Sequence, residues 1–231
     1  MESIYLFNIQ IFWYLLAAAF LLPKIPFIGK FFNIINTLIH EFGHALFALI
    51  FDGQVLKIQI FADTSGATLS KGNSRFANIL VSLAGYTFSS LTAFFCFYLL
   101  AAGYHNAIII GLSILFLFML LFWIRNIYGI LWVIIFLIIN ALLLFYFQNE
   151  IYLQIAAVFY SLMILLESFW SPWVLLFLSI KDSQHAGDAT NLQNFTHLPA
   201  VVWALFFVAF SCWMSFLTCK LLLQTFFCIT L

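Results

Sequence analysis

The chain has 231 residues, 66% hydrophobic, 20% aromatic and only 7% charged, with a mean hydropathy of +1.14. That excludes a soluble globular domain, whose surface could not carry so much apolar area, and specifies an integral membrane protein in contact with a lipid bilayer. Formal net charge is zero and the 8 Lys and Arg are scattered singly, which argues against a nucleic acid partner, since no basic patch tracks a phosphate backbone.

A membrane span needs about 20 apolar residues. Cutting the chain at its polar and proline interruptions predicts seven: 4–22, 31–51, 76–101, 107–123, 127–147, 151–178 and 200–227. The expected architecture is an all-α polytopic membrane protein of about seven transmembrane helices, forming one membrane-embedded domain over residues 1–231. The first segment has neither a basic leader nor a small-residue cleavage site, so it reads as a retained span. Cys96, Cys212, Cys219 and Cys228 lie in apolar runs without C-x-x-C spacing and read as packing residues.

Pro23, Pro26 and Gly29 separate the first span from the second, which carries His40-Glu41-Phe42-Gly43-His44. Positions i and i+4 share a helix face, so His40 and His44 can converge on one Zn²⁺, while Glu41 can reach a metal-held water. A charge at mid-bilayer costs on the order of 3 kcal/mol or more, so ionisable residues kept there generally carry a function. The competing reading is two histidines and a glutamate hydrogen-bonded in a bundle core. Asn33, Asn36, Thr37, His40 and His44 recur every three or four residues, which places one polar stripe toward the bundle interior or a water-filled cavity. Asn33 and Asn36 are therefore candidates to accept the outer N–H of a ligand histidine, with helix capping or inter-helix bonding the alternative.

Asp52-Gly53 stops this helix. Residues 55–61 then alternate, Asp63 to Gly66 signals a turn, and Ala67 to Ser70 forms a second run, which together predict a small β-hairpin after the active-site helix. Such a hairpin is either a plain surface feature or an edge that holds an extended peptide by strand addition. In the third span Asn78, Ser82, Gly85 and Ser89 form a small or polar stripe suited to close helix packing, expected near the His-Glu helix, with Asn78 a further candidate to hydrogen-bond a ligand histidine. Arg125-Asn126 reads as the anchor of a short interfacial turn.

The sixth segment contains Glu167 and Pro172, where a kink is expected, and leads into the most polar stretch, Lys181 to Leu198, read as a loop. A catalytic zinc held by two histidines needs a third protein ligand. Asp188, Asp182, His185 and Glu167 are all candidates, and spacing does not choose among them. Lys57, Lys71, Arg75, Arg125 and Lys181 share one side of a seven-span topology against Lys24, Lys30 and Lys220, so that side and the N-terminus are expected to be cytoplasmic.

The resemblance reaches beyond the metal motif. His40 to Ala45, Phe51-Asp52-Gly53-Gln54-Val55 and Ser65 to Gly72 resemble the B-like branch of the site-2 protease family of membrane zinc metallopeptidases. Ser82-Leu83-Ala84-Gly85-Tyr86 is similar to the family's glycine-containing helix. Arg125-Asn126 with Gly129 matches its middle segment, and Gly187-Asp188-Ala189 with Leu192, Leu198-Pro199 and Trp203 its C-terminal signature. The similar core covers about 31–210. The resemblance implies His40, His44 and Asp188 as ligands of one zinc ion and Glu41 as general base.

The expected function is intramembrane zinc proteolysis, in which a metal-activated water hydrolyses peptide bonds of membrane-anchored proteins or transmembrane peptides. Two alternatives are a catalytically inactive metal-binding scaffold and an ion or proton relay transporter using His40, Glu41 and Asp188. The transporter would need no zinc, and the internal repeats common in transporters are not evident. Without an Arg- and Ser-rich leader, a bacterial inner membrane is the simplest location.

Overall fold

In the computed structural model, which describes residues 9–26, 28–72 and 74–227, the chain forms eight α-helices and one small sheet. Helix α1 (Ile9–Leu21) passes through a 3-10 turn at Leu22–Lys24 into α2 (Ile28–Ile50). Strands β1 (Gln54–Ile60) and β2 (Gly66–Lys71) follow, then α3 (Arg75–Ala101), α4 (His105–Phe122) and α5 (Ile127–Ala141) with a π-helical extension at Leu142–Phe147. The remainder is α6 (Glu150–Lys181), α7 (Gly187–Thr196) and α8 (Ala200–Phe227).

Among the described residues, five helices are long and apolar enough to cross a membrane: α3, α4, α5 with its extension, α6 and α8. The count rises to six if α1 and α2, bent 100° from one another, form one broken span. This differs from the expected seven. Residues 4–8 of the first expected span lie outside the described residues, and α1 is described from Ile9 onward. Helix α6 runs from Glu150 to Lys181 with Pro172 inside it.

Helix α2 lies at the centre. Ile34, Ile35, Leu38 and Ile39 are fully buried, in a core completed by Phe97, Phe116, Phe136 and Met163 from α3, α4, α5 and α6. The indole of Trp132 on α5 donates to the Phe31 carbonyl at 3.0 Å, fixing α5 to the start of α2. Tyr160, Asn140 and Ser113 form a hydrogen-bonded chain across α6, α5 and α4, so these polar groups need no water in an apolar bundle.

The hairpin forms where alternation places it, antiparallel from Gln54↔Lys71 to Ile60↔Gly66, with a bulge between Val55 and Lys57. It does not project from the end of α2; it folds back along it. Gly53 N–H donates to Ala48 O at 2.8 Å, the Thr68 hydroxyl to Glu41 O at 3.2 Å, and the Thr37 hydroxyl to Thr64 O at 2.8 Å. The outer edge of β1 is closed by the α4–α5 connection: Ile58 N–H donates to Trp123 O and Arg125 N–H to Ile58 O. The Asn126 amide completes the pairing, donating to Ile60 O at 2.6 Å and accepting from Ile60 N–H at 3.1 Å. Arg125-Asn126 is thus more than a turn anchor; it closes the sheet. Strand β2 has β1 as its only strand partner among the described residues.

The polar stretch read as a loop contains α7. This helix carries little apolar periodicity, and it is held by tertiary contacts: Ala189 and Leu192 are buried against Leu175, Ala204 and Phe207. Gly187 begins it at φ +47°, a conformation glycine adopts at no steric cost. The Thr190 hydroxyl accepts from Ala186 N–H at 2.9 Å and donates to Ser183 O at 2.8 Å, closing the preceding turn. At the other end Arg75 Nε donates to Phe195 O, Trp203 Nε1 to Thr196 Oγ1, and Ala200 N–H to Gln193 Oε1.

Candidate metal centre

One helical turn apart on α2, His40 and His44 present their Nε2 atoms 2.9 Å from each other. Helix α7 brings Asp188 to the same point, with Oδ2 3.2 Å from His40 Nε2 and 3.3 Å from His44 Nε2. Ligand atoms on a tetrahedral zinc with bonds of 2.0–2.1 Å stand about 3.3 Å apart, so the three separations fit a single ion with little adjustment. The donor set of two neutral imidazoles and one carboxylate is likewise of the type that holds a catalytic metal. Among the described residues, His40, His44 and Asp188 are the group of His, Cys, Asp and Glu side chains placed to hold a metal ion.

The surroundings orient the ligands. Val81 O lies 2.7 Å from His44 Nδ1, so a proton on Nδ1 is satisfied there and the Nε2 lone pair is left facing the cluster. Helix α3 comes close enough for this because of Gly85. A Cβ at that position would stand 2.5 Å from His40 Nε2 and 2.6 Å from His44 Nε2. The neighbouring Tyr86 sets its ring edge-on to His40, with centroids 4.5 Å apart, and packs in turn against Phe207 on α8.

Glu41 is 5% exposed, and its Oε2 has no hydrogen-bond partner. Its other oxygen faces β2, where a Cβ on Gly66 would lie 2.6 Å from Oε1. A buried carboxylate oxygen with nothing bonded to it is costly unless something polar arrives, and Glu41 lines a cavity of about 830 Å³. His40, Glu41, His44 and Asp188 line that cavity together with the whole of β2.

The remaining candidates go elsewhere. Asp182 and His185 pair with each other at 2.8 Å on the exposed α6–α7 connection. Hydrogen bonding from His185, and to a lesser degree its charge, holds the Asp182 carboxyl below its usual range. Glu167 faces Asn33, whose amide nitrogen, turned toward it, lies 3.2 Å from Glu167 Oε1 and 3.1 Å from Gly29 O. Asn36 and Asn78 line the cavity, and Asn36 Oδ1 is buried without a partner. None of these asparagines has a hydrogen bond to His40 or His44 among the described residues; a backbone carbonyl takes that position at His44. Sequence reasoning missed Val81 because a main-chain acceptor leaves no residue-type signal.

The model of the family described as Peptidase M50B-like matches residues 11–218. The chain belongs to the Peptidase M50B-like family. This is the site-2 protease resemblance carried by the motifs, and the match runs from within α1 to within α8. No curated protein and no solved structure matches the chain. Membership of the M50B-like family indicates a metallopeptidase in general terms, acting on protein substrates, and the long apolar helices make it an integral membrane one.

Proposed function

We propose that this M50B-like protein is an intramembrane zinc endopeptidase that cleaves membrane-anchored proteins, with His40, His44 and Asp188 as zinc ligands and Glu41 as general base. The observation that carries the reading is the meeting of two α2 imidazoles and the α7 carboxylate at 2.9–3.3 Å beside a cavity that Glu41 also lines. Zinc held there supplies Lewis acidity and the lowered water pKa that make amide hydrolysis feasible near neutral pH.

The chain's own residues do the rest. Glu41, which lines the cavity and has an unbonded carboxylate oxygen, accepts the proton of the attacking water and returns it to the leaving amine. Val81 O holds the His44 tautomer, and the Thr68 hydroxyl on Glu41 O ties the hairpin to the helix turn bearing the base. A transmembrane helix has no free backbone groups for recognition, so a substrate must unwind before it can be cut. The unpartnered edge of β2 offers an unwound segment a strand to pair with, which carries its peptide bonds past Gly66 and Glu41. The excess of Lys and Arg in the connections at 57, 71, 75, 125 and 181 supports placing those connections on the cytoplasmic side of the membrane.

The test is Glu41→Gln in detergent-purified protein with a membrane-anchored peptide substrate. Loss of cleavage with zinc retained is expected; full activity in that variant rules the mechanism out.

A further inference from the structure

The hairpin leads from the reaction centre to one cation. Strand β2 begins at Gly66, against the Glu41 carboxylate, and ends at Lys71. Five strand steps of about 3.4 Å put these two residues about 17 Å apart, close to half the thickness of a hydrocarbon core. The residues of β2 alternate. Gly66, Thr68 and Ser70 are half-buried on the side of α2, while Ala67, Leu69 and Lys71 are exposed on the other face.

Lys71 is the only Lys or Arg among the described residues that line the cavity. Ser70, Asn78, Asn191 and Phe195, which share the cavity, are uncharged, while Lys57 stands across from Leu69 on β1 and Arg75 donates to the Phe195 carbonyl. A peptide paired with β2 runs past the neutral residues Ala67 to Ser70 and meets Lys71, the Lys or Arg of the cavity lining, at the rim. Lys71 is exposed there, so its charge acts on a direct cross-strand neighbour rather than at long range.

From this juxtaposition we propose that Lys71 is a specificity-determining residue, selecting substrates that carry an acidic side chain about five residues from the scissile bond. The inference rests on the peptidase reading and on pairing with β2. A side chain directly across from Lys71 lies on its exposed face, where opposite charges stabilise a cross-strand pair and like charges oppose it. Position two residues closer to the bond falls across from Leu69 and favours an apolar side chain on the same face.

The test uses the full chain reconstituted in phosphatidylcholine vesicles with a set of single-span peptides. The peptides differ only in one Asp, Asn or Lys, scanned three to seven positions from the cleaved bond on either flank, with the bond mapped by mass spectrometry. For wild type, kcat/KM is expected to favour Asp over Lys roughly two- to fivefold at about the fifth position and nowhere else. That ratio is lost in Lys71→Met and inverted in Lys71→Glu, an inversion that general damage to the fold does not produce. The same Asp-to-Lys ratio in all three proteins overturns the role of Lys71 while leaving the peptidase reading intact. Failure of wild type to cut any peptide contradicts the peptidase reading itself, and the inference falls with it.

Discussion

The carboxylate of Glu41 rests against Gly66, so closely that a methyl group on that glycine would stand 2.6 Å from Oε1 and 2.7 Å from Cγ. Two elements separated in sequence thus set the position of the proposed general base: α2 supplies it and β2 confines it. Gly66→Ala is expected to push the carboxylate aside. Displacements of about 1 Å cost on the order of 10²-fold in rate. Kinetics beside elemental analysis check this, the expected outcome being a drop of that size in kcat/KM with unchanged metal content.

Gly85 plays the corresponding part for the ligands. A methyl group there would meet both imidazole Nε2 atoms at 2.5–2.6 Å, so Gly85→Ala forces α3 and the histidines apart. Overpacking of this kind costs about 1–3 kcal/mol. The expected result, read by metal titration of the purified protein, is loss of metal binding, in contrast to Gly66→Ala.

The α7 carboxylate depends on a hydroxyl that never touches it. Thr190 bridges Ser183 O and Ala186 N–H, fixing the turn from which Gly187 and Asp188 emerge. Removing it in Thr190→Val leaves both backbone groups short of a partner, at about 1–3 kcal/mol. Zinc affinity is expected to fall about 10-fold or more and to recover in Thr190→Ser, which keeps the hydroxyl. Equal affinities in the three proteins would show that the turn holds without the bridge.

How far the sequence reaches is visible at these residues. His40 and His44 are legible because helical periodicity alone puts them on one face, and the hairpin is legible because alternation and turn residues are local signals. Asp188 is not, since Asp182, His185 and Glu167 are equally plausible until α7 docks, and only the resemblance favours it. Helix α7 itself was hidden: its stability comes from Ala189 and Leu192 packed against α8 and α6 rather than from its own pattern. Asn126 looked like a turn residue, and only the fold makes it a sheet partner.

That last role carries its own prediction. Asn126→Leu removes both hydrogen bonds to Ile60, about 1–3 kcal/mol, and frees the far edge of β1. A lower unfolding temperature and slower cleavage are expected, with metal content unchanged because no ligand sits on the hairpin. Loss of metal in this variant would mean that the hairpin supports the ligands directly.

The most direct test of the zinc site is the metal content of detergent-purified protein, measured by elemental analysis for wild type, Glu41→Gln, His44→Ala and Asp188→Ala. About one zinc per chain is expected in wild type and Glu41→Gln, and essentially none in the two ligand variants. Wild-type protein that takes up no zinc when it is supplied, or Asp188→Ala protein that holds as much as wild type, would contradict the assignment of His40, His44 and Asp188.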